Sequence, residues 1–256
     1  LIEAWIIYAG LSLARVASFV ATLPLFGGHR LPRFVKIGIA LALTAVCFDR
    51  WQNQMTHVMQ LAESMHWLSL GLAAAKECIF GATLGFAFGL FLVPARIAGS
   101  FIGQEAGLTL ASISDPSLGE PQNVFSHLFE SLGILIFFAL DMHHYVLATL
   151  YATLGRWPVG GPLPKPSPRA VIQGVSNAQQ WGLLVIAPMG ICLFVTTMTL
   201  ALLAKAAPQM NLFSVGLAVR LGVALGVVLL FMPDLCWMIQ RVFAQTSGYI
   251  EGWLQY

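Results

Sequence analysis

The residues best equipped for chemistry are Asp141, His143 and His144, a carboxylate and two imidazoles within four positions. Such groups ligate a divalent metal or exchange protons. Their spacing argues against both. Adjacent histidines point in different directions on a helix, and a helical zinc site wants ligands at i and i+4. His127 and Glu130 lie one turn apart, but no second such pair completes a cage. The cysteines Cys47, Cys78, Cys192 and Cys236 are isolated in or beside apolar stretches and read as small buried hydrophobes. No phosphate loop, no GxSxG and no supported Ser/His/Asp set is present. These residues lead us to expect no metal, no cofactor and no enzyme activity.

A second group is Gln104 and Glu105. A carboxylate beside an apolar membrane helix is a functional-site hypothesis; a glutamate facing water at a helix end is the plainer alternative. The polar segment from Ser112 to Gln122 follows, and its two prolines bar a continuous helix. Leu108, Leu110 and Ile113 place apolar side chains at its entrance, as a pore plug or a surface turn would.

Glycine spacing forms the clearest pattern. Gly81, Gly85 and Gly89 make one tandem GxxxG, and Gly99, Gly103 and Gly107 another, 18 residues on. Eighteen residues are about five helical turns. All six glycines share a face if the helix continues past Pro94, where a kink is expected. Glycine lets a second backbone approach closely, either within the chain or at a subunit interface.

Helices must position these groups. Apolar stretches cover about 4–26, 35–50, 68–93, 122–154, 178–206 and 212–233, without strand-like alternation. A crossing takes about 20 apolar residues. The charge-free runs Ile37 to Phe48, Ser131 to Leu140 and Leu221 to Pro233 hold only 12, 10 and 13, whereas Ala170 to Ala204 holds 35. Short runs bounded by charges suggest hairpins, or helices buried among protein partners. The segment Pro158 to Pro168 has five prolines in eleven residues and is expected to be extended. It joins structural halves 1–157 and 169–256 of one membrane domain.

Composition sets the class. Hydrophobic residues make up 58% of the 256 and charged residues 9%, against about 25% charge in soluble domains. So few charges cannot cover a water-facing surface. The net charge of +2 is scattered, which excludes a nucleic-acid footprint. With six crossings, basic residues divide five against five between the two sides, so positive charge sets no orientation. That tie suggests a subunit placed by its partners. The N-terminal stretch carries Glu3 and no basic residue before Arg15, unlike a cleaved signal peptide.

Several pieces together carry a resemblance. Gly103-Gln104-Glu105-Ala106-Gly107-Leu108 and Ala111-Ser112-Ile113-Ser114-Asp115-Pro116 are similar to a stretch of the FliR/SctT family of type III export-apparatus subunits. Pro32-Arg33, His143-His144, Trp157-Pro158-Val159-Gly160 and Ala207 to Gly216 match in order and spacing, the last including Asn211, Phe213 and Ser214. Asp115-Pro116 and the Asn-x-Phe-Ser piece favour the flagellar branch. Asp141-Met142 departs from the family's usual Asn-Gly, and Leu217-Ala218-Val219-Arg220 from its Phe-Pro-Leu-Lys.

The resemblance implies one such subunit with several FliP-like and FliQ-like subunits in a helical export gate, and an FlhB-like switch protein attached. It implies a place in the bacterial inner membrane at the centre of the flagellar basal body, with unfolded export substrates as cargo. The loop from Leu108 to Glu120, with Asp115 and Pro116, would plug the closed pore, supported by Gln104 and Glu105. The expected fold is an all-α integral membrane protein of about six apolar helices in hairpins, some too short for simple spans. Rivals are an SctT subunit of a virulence system, a small secondary transporter, for which no convincing internal repeat is visible, and a lipid-modifying enzyme using Asp141, His143 and His144.

Overall fold

The computed structural model describes residues 2–25, 32–48, 58, 67–107, 124–162, 168–207 and 212–255, with backbone alone at 168–171, 212–214, 246, 247 and 249–255. Every regular element among them is helical. They are α1 (Ile2–Thr22), α2 (Arg33–Cys47), α3 (Trp67–Gly89), α4 (Val93–Glu105), α5 (Val124–Ala139), α6 (Met142–Arg156), α7 (Pro168–Ala206), α8 (Leu212–Leu230) and α9 (Met232–Gln255).

The breaks have local causes. Pro94 stands in the first turn of α4, and a 3₁₀ turn at Leu90–Leu92 joins α3 to α4. Proline cannot donate to the carbonyl four residues back, so the chain tightens there instead of continuing as one regular α-helix. The stretch 122–154 is two helices, because Asp141 adopts a left-handed conformation (φ 53°) between α5 and α6. Asp and Asn are the non-glycine residues that tolerate this region best. An Asn-Gly pair at this place would meet the same backbone demand. Pro158 to Gly161 departs from the extended form expected of it. The Gly161 N–H donates to the Pro158 carbonyl at 3.0 Å, and Gly160 takes φ 78°. That is a tight turn with glycine where φ is positive.

The sixth apolar stretch ends in a bend of 56° between α8 and α9. Helix α9 lies almost wholly beyond the apolar stretches. Its buried side chains Leu235, Met238, Ile239 and Val242 recur at i, i+3, i+4 and i+7, so it is amphipathic and not uniformly apolar.

The chain forms two compact units: residues 1–90, 141–174 and 246–256, and residues 91–140 and 175–245. In the first, α1 packs against α3 and α2. Its core includes Tyr8, Leu11, Cys47, Ala73, Leu154 and Val159. The Phe19 and Phe88 rings meet edge to face at 6.3 Å. In the second, α4 packs against α5. Phe91 stacks on Phe137 at 5.1 Å, and Phe243 meets both at 5.8 Å.

Among the described residues, three helical runs are long and apolar enough to cross a membrane: Ile2–Thr22, Trp67–Glu105 and Ile172–Ala206. The broken pairs α5 with α6 and α8 with α9 raise the number to five.

Candidate functional site

The most elaborate polar arrangement in the first unit is built on Arg15 of α1 and Glu77 of α3. Each is an ionisable group, buried on its apolar helix, that is tolerated there only with a partner. Their side chains are 2% and 5% exposed, and Arg15 Nε donates to Glu77 Oε2 at 2.5 Å. The remaining donors of Arg15 are also used. Nη1 donates to the carbonyls of Thr153 and Trp157 at 3.1 and 3.2 Å, and Nη2 to Trp157 at 3.3 Å. The guanidinium carbon sits 4.9 Å from the centre of the Phe80 ring. Glu77 Oε1 accepts from the Gly160 N–H at 2.9 Å. Phe80 meets Trp157 edge to face at 5.4 Å. The ion pair therefore ties the C-terminus of α6 and the turn after it to the α1–α3 pair.

Burying two charges is costly unless other hydrogen bonds support them, and here three further bonds from Arg15 and one to Glu77 do so. The first glycine set makes the approach possible. A methyl group at Gly81 would fall on the Arg15 carbonyl oxygen and Ser18 Oγ. One at Gly85 would lie 2.7 Å from the Phe19 carbonyl oxygen, and one at Gly89 2.8 Å from Pro24 Cδ. Glycine on α3 thus brings its backbone against α1.

A second ion pair lies in the other unit. Arg96 of α4 donates to Glu130 Oε1 of α5 through Nε at 3.0 Å and also through Nη2. Glu130 is 10% exposed and Arg96 46%. His127 Nδ1 stands 4.0 Å from the other carboxylate oxygen. Close by, a methyl at Gly99 would lie 2.6 Å from the Phe125 carbonyl oxygen. Gly103 is buried within α4. Gly107 stands past the end of α4 with φ 81°, and its N–H donates to the Gln104 carbonyl at 3.0 Å. Its conformation is that of a helix-terminating glycine. Gln104 is exposed and Glu105 half-buried at this end of α4.

The plug residues Leu108, Leu110, Ile113, Asp115 and Pro116, and Asn211 of the family-like piece, lie outside the described residues. Phe213 and Ser214 belong to the first turn of α8. Asp141, His143 and His144 do come together: one ligand atom from each lies within 4.8 Å of the others. His144 Nδ1 is 3.8 Å from Asp141 Oδ1, and the two imidazole rings are 4.1 Å apart. Asp141 and His144 are largely exposed, at 75% and 73%.

Comparison with known proteins decides the family. The sequence pattern of the bacterial export proteins, family 1, matches residues 6–246. The chain belongs to that family. Its members include the flagellar biosynthetic protein FliR of Escherichia coli K12, 26% identical over 252 residues, or 97% of this chain and 94% of that protein. FliR of Bacillus subtilis 168 is 25% identical over 236 residues, covering 91% of this chain and 88% of that protein. The Yop proteins translocation protein T of Yersinia pestis is 26% identical over 159 residues, 61% of each. Within the bacterial export proteins, family 1, this chain is a membrane-embedded type III export-apparatus subunit, and the FliR/SctT resemblance holds along nearly its whole length.

Sequence reasoning missed Arg15 and Glu77, though a signal was available. Arg15 is the one charge in the apolar stretch 4–26, and Lys76-Glu77 are the charges of 68–93; charges so placed need partners, and Glu77 is of the sign that Arg15 requires. It also read Trp157-Pro158-Val159-Gly160 only as a family-like string. In the structure this string supplies the Trp157 carbonyl and the Gly160 N–H that complete the buried network.

Proposed function

We propose that this chain is a gate subunit of the flagellar type III protein-export channel. It assembles with FliP-like and FliQ-like subunits and an FlhB-like switch protein, at the centre of the basal body in the bacterial inner membrane. The observation that carries this reading is the surface of α7. The helical run Ile172–Ala206 is 35 residues long, and its most apolar 18-residue window is only 22% buried inside the chain. At 1.5 Å per residue that is about 50 Å, against about 30 Å of bilayer hydrocarbon. The helix is longer than the hydrocarbon layer, and in this reading neighbouring subunits meet the part of its exposed surface that lipid leaves uncovered.

In this reading the loop after Gly107 reaches into the lumen. Leu108, Leu110 and Ile113 close it, Asp115 and Pro116 shape the turn, and Gln104 and Glu105 at the end of α4 support it. Unfolded substrate displaces the loop. No nucleotide motif is present in the sequence, so the energy comes from elsewhere in the apparatus. The flagellar reading is favoured over a virulence apparatus because the FliR relatives match 91% and 97% of the chain, against 61% for the Yersinia protein.

The test is to delete Ser112 to Gly119 and measure ion leakage through the assembled gate. Higher leakage with assembly intact is the expected result; unchanged leakage removes the plug. Failure to co-purify with FliP-like and FliQ-like proteins removes the assembly itself.

A further inference from the structure

The second unit carries a cluster that the export reading leaves unused. Trp181 of α7 and Trp237 of α9 meet edge to face at 5.9 Å. The Arg241 guanidinium carbon lies 5.2 Å from the Trp181 ring centre and 4.8 Å from that of Trp237. Trp181 Nε1 donates to Gln245 Oε1 at 3.0 Å, which fixes the indole. Arg241 is exposed, and among the described residues it pairs with no carboxylate. Its face is held by two indoles, while its N–H groups remain available at the edge of the cluster.

Two helices change character at this cluster. On α7 the residues before Trp181 are rich in amides, with Gln179 and Gln180 exposed. After it the exposed side chains include Leu183, Leu184, Ile191, Phe194, Met198 and Leu202. Between Trp181 and Lys205 lie 23 uncharged residues, about 35 Å of helix, the thickness of bilayer hydrocarbon with modest tilt. The same boundary recurs on the next helices. Exposed residues of α8 near its end are Leu225, Leu229 and Leu230. Past the 56° bend the exposed face of α9 carries Asp234, Trp237, Gln240 and Arg241. At the N-terminal end of α8, Gly216 approaches Leu200 of α7. Arg220 stands one residue from the middle of α8, and its side chain leans toward the N-terminus of that helix.

We propose that Trp181, Trp237 and Arg241 form a membrane-interface anchor in which the Arg241 guanidinium binds the phosphate of an anionic phospholipid headgroup. Tryptophan prefers the headgroup level because its ring is apolar and its N–H is polar. Guanidinium donates two parallel hydrogen bonds to phosphate while keeping its face on an aromatic ring. The cluster sets the depth of the α7–α8 hairpin, and so determines which part of the long apolar α7 meets lipid.

The test uses the full-length chain in nanodiscs of phosphatidylcholine, with or without phosphatidylglycerol. The fluorescence lost in Trp237→Phe isolates the signal of that indole. Quenchers at headgroup depth are expected to suppress it more than quenchers near the bilayer centre. Phosphatidylglycerol retained by the chain is expected to fall about fivefold in Arg241→Gln, the weight of one basic residue at an anionic surface. Arg241→Lys keeps the charge and is expected to recover part of it, which separates headgroup binding from misfolding. The proposal is overturned if Trp237 is quenched from the centre or shielded by a co-purifying protein. It is equally overturned if Arg241→Gln leaves lipid retention unchanged, or if inorganic phosphate competes the lipid away, which would mark a soluble-anion site.

Discussion

Arg15 Nε and Glu77 Oε2 stand 2.5 Å apart between two apolar helices, and both side chains are almost fully buried. Neither charge is tolerable there alone. The pair also reaches the Trp157 carbonyl and the Gly160 N–H, so its loss is felt beyond α1 and α3. Replacing either residue by alanine is expected to destabilise the chain by about 3–5 kcal/mol, because the partner is left as an uncompensated buried charge. The double replacement Arg15→Met with Glu77→Leu is expected to cost less than either single change. Thermal unfolding in detergent, followed by aggregation, measures both. A double variant as damaged as the sum of the singles would refute the coupling.

Gly81 and Gly85 occupy the crossing of α3 with α1, where a side chain meets backbone. Gly81→Ala or Gly85→Ala is expected to cost about 1–3 kcal/mol through overpacking. Gly222 of α8 offers the internal control, since a methyl there meets nothing within 4 Å. Gly222→Ala is expected to be neutral, or stabilising by up to about 1 kcal/mol from helix propensity. Equal melting temperatures for all three variants would contradict the packing described.

Asp141 provides the reversal between α5 and α6 with φ 53°. Asp141→Gly and Asp141→Asn are expected to be accepted without loss. Asp141→Val is expected to cost about 1–2 kcal/mol, the left-handed penalty of a residue with a Cβ, and more because of its branching. Expression level and melting temperature of the three variants rank the effect. If valine is tolerated as well as asparagine, the backbone at this position is not left-handed.

Glu130 is nearly buried, and Arg96 reaches it from the neighbouring helix. Arg96→Ala is expected to cost about 1–3 kcal/mol, chiefly from the two charged donors that the nearly buried carboxylate loses. Glu130→Gln combined with Arg96→Ala is expected to recover part of that loss, since a neutral amide is cheaper to keep nearly buried than a carboxylate that has lost its arginine. Melting curves of the single and double variants decide it. No recovery would mean that Arg96 contributes through its stem and not through its charge.

The membrane class was determined by composition and hydropathy alone, because 9% charge cannot coat a water-facing surface. The family was legible in short strings distributed along the chain, since each is read without knowing what it touches. Helix positions followed from apolar runs, except that the run 122–154 holds two helices and that α4 and, most of all, α9 lie beyond such runs. The buried face of α9 at i, i+3, i+4 and i+7 carries no long apolar run. Which glycine meets which backbone, and that Arg15 finds Glu77 62 positions away, only the tertiary structure decided. A charge in a sequence announces that it needs a partner but not which one, because pairing depends on how helices cross and on which side chain faces the crossing. The same holds for Trp181 and the pair Trp237 and Arg241, which share one face of α9 one turn apart and meet Trp181 only because α9 lies against α7.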